Sequence, residues 1–112
     1  SVISSAPGQQ GHVSPTEADE LTHARNAAPH AVLLDPEGQI GRAYAAKTTP
    51  HMYIIDEAGQ LVYMGGIDSI TTANPDDIAR ATQYVRVALQ ERASGQAIST
   101  PVTRPYGCSV KY

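Results

Sequence analysis

The sequence predicts a small α/β domain in which helices flank a mixed sheet. Two capped helices and one β-hairpin alternate along the chain with short runs of strand type. Such alternation favours a sheet that is parallel where a helix crosses over and antiparallel at the hairpin. At 112 residues, with 41% hydrophobic and 17% charged residues, the composition is typical of one globular domain.

The first helix is predicted from its start signals. Residues 2–5 read as the end of a strand, and a Gly- and Pro-containing loop follows. Ser14 and Glu17 form a Ser-x-x-Glu capping box, and Pro15 suits the first helical position. A weak apolar face then predicts a helix that continues to Ala28.

A second strand and a turn follow this helix. Residues 31–34 form a short continuous apolar run, which is typical of a buried strand. The Asp-Pro-Glu-Gly sequence at 35–38 carries turn-forming residues at the first, second and fourth positions. Apolar residues at 40, 43 and 44 then predict one or two helical turns.

A hairpin is predicted over residues 51–64. Residues 51–56 are rich in β-favouring side chains, residues 61–64 form the partner strand, and Gly59 lies in the turn between them. The first strand begins after Thr49-Pro50, and proline suits a strand start because it lacks a backbone N–H. The second strand ends at Gly65-Gly66, where the backbone is free to bend.

The second half is predicted to contain a polar linker at 69–73 and one long helix. Asn74 is the expected N-cap, Pro75 the first helical residue and Gly95 the end. The apolar stripe of this helix comprises Ile78, Ala81, Val85, Ala88 and Leu89. The domain is therefore predicted to span 1–95, and the Pro- and Gly-rich residues 96–112 form a C-terminal tail.

Composition excludes several classes of function. The formal charge of −3 provides no basic surface, which argues against nucleic acid and anionic membrane partners. No apolar run approaches the roughly 20 residues that span a bilayer. Cys108 is the single cysteine, so an internal disulfide and a multi-cysteine zinc site are excluded. One cysteine fits a reducing compartment, and a cytoplasmic location is expected.

Several stretches of the sequence resemble a known family. The sequence TTPHMYIID leading into LVYMGGID, with the terminal PVTRPYGCSVKY and the opening VISSAPGQQGHVSP, is similar to redoxins of the thioredoxin fold. These are the alkyl hydroperoxide reductase/thiol-specific antioxidant and peroxiredoxin-like proteins. The resemblance covers essentially the whole chain and implies a thiol-dependent peroxide or disulfide reductase, with antioxidant activity and no cofactor.

The resemblance also implies that part of the family's domain is not in this sequence. Family members carry a preceding strand and helix, with the attacking cysteine at the start of that helix, and no position here matches it. We therefore expect this chain to be catalytically incomplete. Thr49-Pro50 corresponds to the family's Thr–cis-Pro element, which lines the substrate groove and presents backbone groups to an extended thiol substrate. On the residues alone, Pro50 merely starts an edge strand.

Cys108 has two interpretations. The resemblance implies a resolving thiol that attacks a sulfenic acid on the absent cysteine. The alternative is an inert thiol in the tail. At the level of the whole chain, the competing hypothesis is a thioredoxin-fold binding or structural module without redox chemistry.

The resemblance implies that the preceding strand of the family's domain, which has no counterpart in this sequence, matters for the sheet. It is central in the thioredoxin fold, so strands near Val2 and Tyr53 are expected to expose unpaired backbone. We therefore expect self-association, or a second polypeptide that fills the gap. The remaining partners implied are a thiol reductant and a peroxide or disulfide substrate.

Other candidate residues receive simpler interpretations. His12, His23, His30 and His51 have spacings that match no zinc pattern. Asp56, Glu57 and Asp68 near the hairpin favour turn and strand-end roles over acid–base catalysis. Tyr53 and Tyr63 are predicted to pack across the hairpin.

Overall fold

A computed structural model describes residues 1–71 and 74–112, with every side chain in these ranges except that of Ile78. The chain divides into two compact units. The first comprises Ser1–Ala46 with Val110–Tyr112, and the second comprises Lys47–Ser109. Short helices and short two-stranded sheets, parallel and antiparallel, confirm a small mixed α/β class.

The first unit contains a parallel strand pair joined by a helix. Strand β1 (Val2–Ile3) pairs in parallel with β2 (Leu33–Leu34), with Val2 opposite Leu33. Helix α1 (Pro15–Ala24) lies between them in sequence, so the predicted parallel arrangement across a helical connection is confirmed. In the same unit, Ser5 forms an isolated parallel bridge with Lys111.

The predicted start of α1 is confirmed, but the predicted end is wrong. The Ser14 hydroxyl accepts a hydrogen bond from the Glu17 backbone N–H at 3.2 Å, as a capping box requires. The helix ends at Ala24 rather than Ala28, and Asn26 adopts a left-handed conformation with φ of 50°. The weak apolar face gives little reason for continuation, because Leu21 remains 41% exposed.

The turn at 35–38 leads into helix α2 (Gln39–Ala43), as predicted. The Gly38 N–H donates to the Asp35 carbonyl at 3.1 Å, which closes the turn. The buried Asp35 carboxylate accepts from the Ser4 hydroxyl at 2.7 Å and from the Gly41 N–H at 2.9 Å. These hydrogen bonds, led by that from Ser4, hold the pKa of Asp35 below its ordinary value of 3.8.

The second unit contains the predicted hairpin. Strand β3 (Thr48–Thr49) precedes β4 (Met52–Ile55), which pairs antiparallel with β5 (Leu61–Gly65). In the turn, the Asp56 carboxylate accepts from two backbone N–H groups, at 2.9 and 3.0 Å. Tyr53 lies opposite Met64 and Tyr63 opposite Ile54, so the two tyrosines point to opposite faces of the hairpin.

The predicted tail forms no helix, and much of it pairs with strands of the second unit. Val102 forms a parallel bridge with Met64 of β5. The Met64 N–H donates to the Pro101 carbonyl at 2.9 Å, and the Thr103 N–H donates to the Met64 carbonyl at 3.0 Å. Strand β6 (Cys108–Ser109) then pairs antiparallel with β3.

The prediction of one long helix from Pro75 to Gly95 is wrong, because two helices occupy this range. Helix α3 (Pro75–Ile78) is short, and α4 (Tyr84–Ala93) follows after a turn. Thr82 and Ser69 exchange two hydrogen bonds, which draw the backbone out of the helical path. The predicted cap is confirmed, since the Asn74 side chain accepts from the Asp76 N–H at 3.1 Å. The predicted linker at 69–73 includes Thr72 and Ala73, which lie outside the described residues.

Helix α4 packs within the second unit through only part of its predicted apolar stripe. Ala88 is 1% exposed, whereas Leu89 is 51% exposed. Arg92 lies 3.8 Å from carboxylate oxygens of both Asp56 and Glu57 at the hairpin turn. Within the described part of the chain, no helix combines the length and apolar character needed to cross a membrane.

Candidate functional site

The structure brings together the two predicted parts of the site, Thr49-Pro50 and Cys108. In the ladder between β3 and β6, Thr49 lies directly opposite Cys108 and Thr48 opposite Ser109. Cys108 is a free thiol on an exposed residue. The short strand β6 therefore presents the single thiol of the chain beside the residue that precedes Pro50.

Local backbone features determine this pairing. The Thr49–Pro50 peptide bond is cis, as the resemblance implies. Gly107, just before β6, has φ of +136°, a conformation that side chains disfavour. A Cβ atom at Gly107 would lie 2.9 Å from the Thr49 carbonyl carbon and closer still to its oxygen. The approach of the two backbones therefore depends on glycine at this position.

His51 is a residue whose role the sequence did not predict. Its ring stacks on Tyr53, with centroids 4.6 Å apart and an interplanar angle of 20°. Its Nδ1 accepts a hydrogen bond of 3.4 Å from the Lys47 N–H, and its buried Nε2 has no partner within the described chain. Burial, and secondarily the Lys47 cation, lowers the pKa of His51 from its ordinary value of 6.5. Because Nδ1 accepts this hydrogen bond, a neutral ring carries its proton on Nε2, where no acceptor lies among the described residues.

A groove, also missed from the sequence, adjoins the β3–β6 ladder. Its volume is about 640 Å³, which is within the range of small-molecule sites. Both strands of the ladder, or the residues next to them, contribute to its lining. Its lining includes Thr48, Asp68, Tyr84, Arg104, Tyr106 and Gly107. The only sequence signal was the concentration of proline, glycine, arginine and tyrosine at 101–107.

Hydrogen bonds order the acidic side of this groove. The Tyr106 hydroxyl donates to Asp68 Oδ1 at 2.5 Å, and the Ile70 N–H donates to the same oxygen at 3.1 Å. The hydrogen bond to Asp68 raises the pKa of Tyr106 above its ordinary value of 10.0. The bond thus fixes the phenol as a donor and the carboxylate as an acceptor.

The carboxylate candidates Asp56 and Glu57 lie together at the hairpin turn, where both are 3.8 Å from Arg92. Asp56 caps the hairpin turn, and Glu57, exposed beside it, faces Arg92, so neither joins Asp68 in a carboxylate pair. Across residues 1–71 and 74–112, no three His, Cys, Asp or Glu side chains are grouped closely enough to hold a metal ion.

Comparison with known proteins identifies structural neighbours but no family. No protein-family model matches the chain, and no curated protein matches it. An uncharacterized conserved protein from Geobacillus kaustophilus is similar over 99% of this chain, with a TM-score of 0.81 and 24% identity. A hypothetical protein from Sinorhizobium meliloti 1021 is similar over 99% of this chain, with a TM-score of 0.82 and 22% identity. The chain spans 57% and 59% of these two proteins, and the likeness shows a shared fold.

Proposed function

We propose that this chain belongs to a thioredoxin-fold redoxin similar to the peroxiredoxin-like proteins, and that Cys108 is its resolving thiol. The whole protein then reduces a peroxide or a disulfide at the expense of a thiol reductant. The proposal rests on one observation above all, the direct pairing of Thr49 with Cys108.

This pairing supports a relay role for Cys108. In the resembling family, the backbone of the residue before the cis-proline faces an extended thiol substrate, and here β6 of the same chain occupies that edge. Strand addition places a bound side chain in a defined register. The chain therefore presents its own thiol in the manner of a substrate.

The chemical step that Cys108 performs is disulfide formation. A peroxide first oxidises a cysteine outside this sequence to a sulfenic acid, and the peroxide O–O bond is reduced. The Cys108 thiolate then attacks that sulfur, so that an S–S bond forms and the S–O bond breaks. The departing hydroxide takes a proton and becomes water. A thiol reductant finally cleaves the disulfide by exchange.

The test uses the protein expressed at the full length of its own reading frame. After one equivalent of hydrogen peroxide, we expect a non-reduced peptide map to show Cys108 in a disulfide. Cys108→Ser should leave the sulfenic acid open to trapping by dimedone and should slow thiol-dependent turnover. The 112-residue chain alone should show no peroxide turnover. Turnover that is unchanged in Cys108→Ser, together with a Cys108 thiol that stays reduced in the unsubstituted protein after peroxide, would contradict the proposal.

A second candidate function, a thioredoxin-fold binding module without redox chemistry, is favoured by the groove. An open groove of about 640 Å³ with an ordered Asp68–Tyr106 pair suits a small ligand whether or not the thiol reacts. In that case Cys108→Ser would retain the full activity of the protein. The peptide map described above separates the two candidates.

A further inference from the structure

The groove of the second unit is lined by one cationic and one anionic side chain, Arg104 and Asp68, and each has hydrogen-bonding groups without a partner among the described residues. Arg104 lines the groove, is exposed, and makes no hydrogen bond or ion pair with the described residues. Its guanidinium offers five N–H donors. Asp68 receives both of its hydrogen bonds at Oδ1, from Tyr106 and Ile70. Its Oδ2 therefore has no partner in the described part of the chain.

We propose that the groove binds a small zwitterion of the α-amino acid type, with Arg104 on the ligand carboxylate and Asp68 Oδ2 on the ligand ammonium. Guanidinium and carboxylate match in a planar, two-bond geometry. An ammonium group supplies the donors that a carboxylate oxygen lacks. The rings of Tyr84 and Tyr106, which line the same groove, provide surface for the apolar part of the ligand.

The charge pattern favours a zwitterion over a simple ion. A ligand with only a carboxylate would be attracted by Arg104 and repelled by Asp68, which line the same groove. A ligand with only an ammonium group would be attracted by Asp68 and repelled by Arg104. Like-charge juxtaposition disfavours such partners, whereas a zwitterion satisfies both side chains.

Binding is tested with three unreactive probes that differ only in charge. S-methyl-L-cysteine carries both groups, 3-(methylthio)propanoate lacks the ammonium, and 2-(methylthio)ethylamine lacks the carboxylate. In NMR titrations of the Cys108→Ser chain, the zwitterion should bind about tenfold more tightly than either analogue, since each lost contact is a charge-assisted hydrogen bond. Amide shifts should concentrate at residues of the groove.

Two variants assign the contacts, and a third is the matched control. Arg104→Gln should weaken S-methyl-L-cysteine about tenfold. It should strengthen the amine analogue, which no longer meets the repelling guanidinium. Asp68→Asn should weaken S-methyl-L-cysteine similarly and should strengthen the acid analogue, because the repelling carboxylate is removed. The amide oxygen of the variant still accepts from Tyr106. Arg86→Gln makes the same charge change at an exposed position outside the groove, and it should leave all three affinities unchanged.

The outcomes separate this inference from the proposed function. Equal affinities for the three probes, or shifts spread away from the groove, would overturn the zwitterion site even if Cys108 resolves a sulfenic acid. If the probe binds to Cys108→Ser but Cys108 of the unsubstituted protein stays reduced after peroxide, the zwitterion site is supported and the resolving role of Cys108 is contradicted.

Discussion

The hydroxyl of Tyr63 lies 2.7 Å from Oγ1 of Thr103, a residue 40 positions away in sequence. The same phenol donates to the Gly66 carbonyl at 2.5 Å, and the Gly66 N–H donates to Thr103 Oγ1 at 2.9 Å. Tyr63 is 1% exposed. Four polar groups of three residues thus satisfy one another at the end of β5, and they hold the segment around Thr103 against the hairpin.

Removal of either hydroxyl should destabilise the fold. Tyr63→Phe leaves the Gly66 carbonyl without its donor, and Thr103→Val leaves the Gly66 N–H without its acceptor. Each should lower the free energy of unfolding by about 1–3 kcal/mol, because a buried polar group then lacks a partner. In chemical denaturation, the double variant should lose less than the sum of the two, since the residues form one network.

Tyr84→Phe is the control for this network. The Tyr84 hydroxyl has no hydrogen bond among the described residues, so its removal should change stability by less than about 0.5 kcal/mol. A loss as large as that of Tyr63→Phe would mean that phenol removal in general, rather than the Gly66–Thr103 network, sets the effect.

Gly107 should tolerate substitution far less well than Gly59. Both adopt positive φ, +136° and +81°, but a Cβ at Gly107 would collide with the Thr49 backbone, whereas nothing lies within 4 Å at Gly59. Gly59→Ala should therefore lower the free energy of unfolding by only about 1 kcal/mol, because alanine disfavours a positive φ. Gly107→Ala should cost more and should release the β3–β6 ladder.

Hydrogen exchange checks this expectation directly. Protection of backbone amides in residues 48–49 and 108–109 should fall in Gly107→Ala and remain in Gly59→Ala. Equal protection in the two variants would show that the close approach to Thr49 is not what the ladder depends on.

The elements that the sequence predicted well are those specified by local chemistry. The Ser14 and Asn74 caps each use a side chain and a backbone N–H two or three positions away. The hairpin turn likewise depends on Asp56 and a glycine at positive φ. Such contacts are visible in a few consecutive residues, and the structure contains them where the sequence placed them.

The features that the sequence did not predict depend on distant contacts. The break between α3 and α4 follows from the Ser69–Thr82 hydrogen bonds, which span 13 positions. The groove depends on the Tyr106–Asp68 contact, which spans 38 positions. No local pattern reports such pairs, because apolar periodicity describes one element at a time. The pairing of Thr49 with Cys108 has the same character.

The second unit should self-associate through its hairpin. In the described chain, β4 pairs with β5 alone, and the facing residues Ile55 and Leu61 are 46% and 49% exposed. An open strand edge with apolar side chains is a template for pairing. Sedimentation velocity should show an average mass that rises with concentration.

A charge on the hairpin should suppress this association. Ile55→Lys places a lysine beside the open edge, which disfavours edge-to-edge pairing. Leu89→Lys removes an equally exposed side chain, 51% exposed, from helix α4, and it should leave the association unchanged. A monomer at every concentration in the unsubstituted chain would contradict the prediction.

The stability of the chain should decrease as pH falls through the range in which His51 binds a proton. Its pKa in the folded chain is held below 6.5 by burial and by Lys47, so the unfolded chain binds this proton more readily. The contribution of His51 is therefore complete above pH 6.5 and is lost as pH falls through the folded pKa. The lowered pKa of Asp35 affects stability in a separate range, below pH 3.8.

NMR titration of the His51 ring should give a pKa below 6.5, and Lys47→Met should raise this pKa, because one repelling charge is removed. His51→Gln should flatten the fall in unfolding free energy between pH 7 and pH 5. A measured His51 pKa of 6.5 would remove the effect, and a higher pKa would reverse its sign.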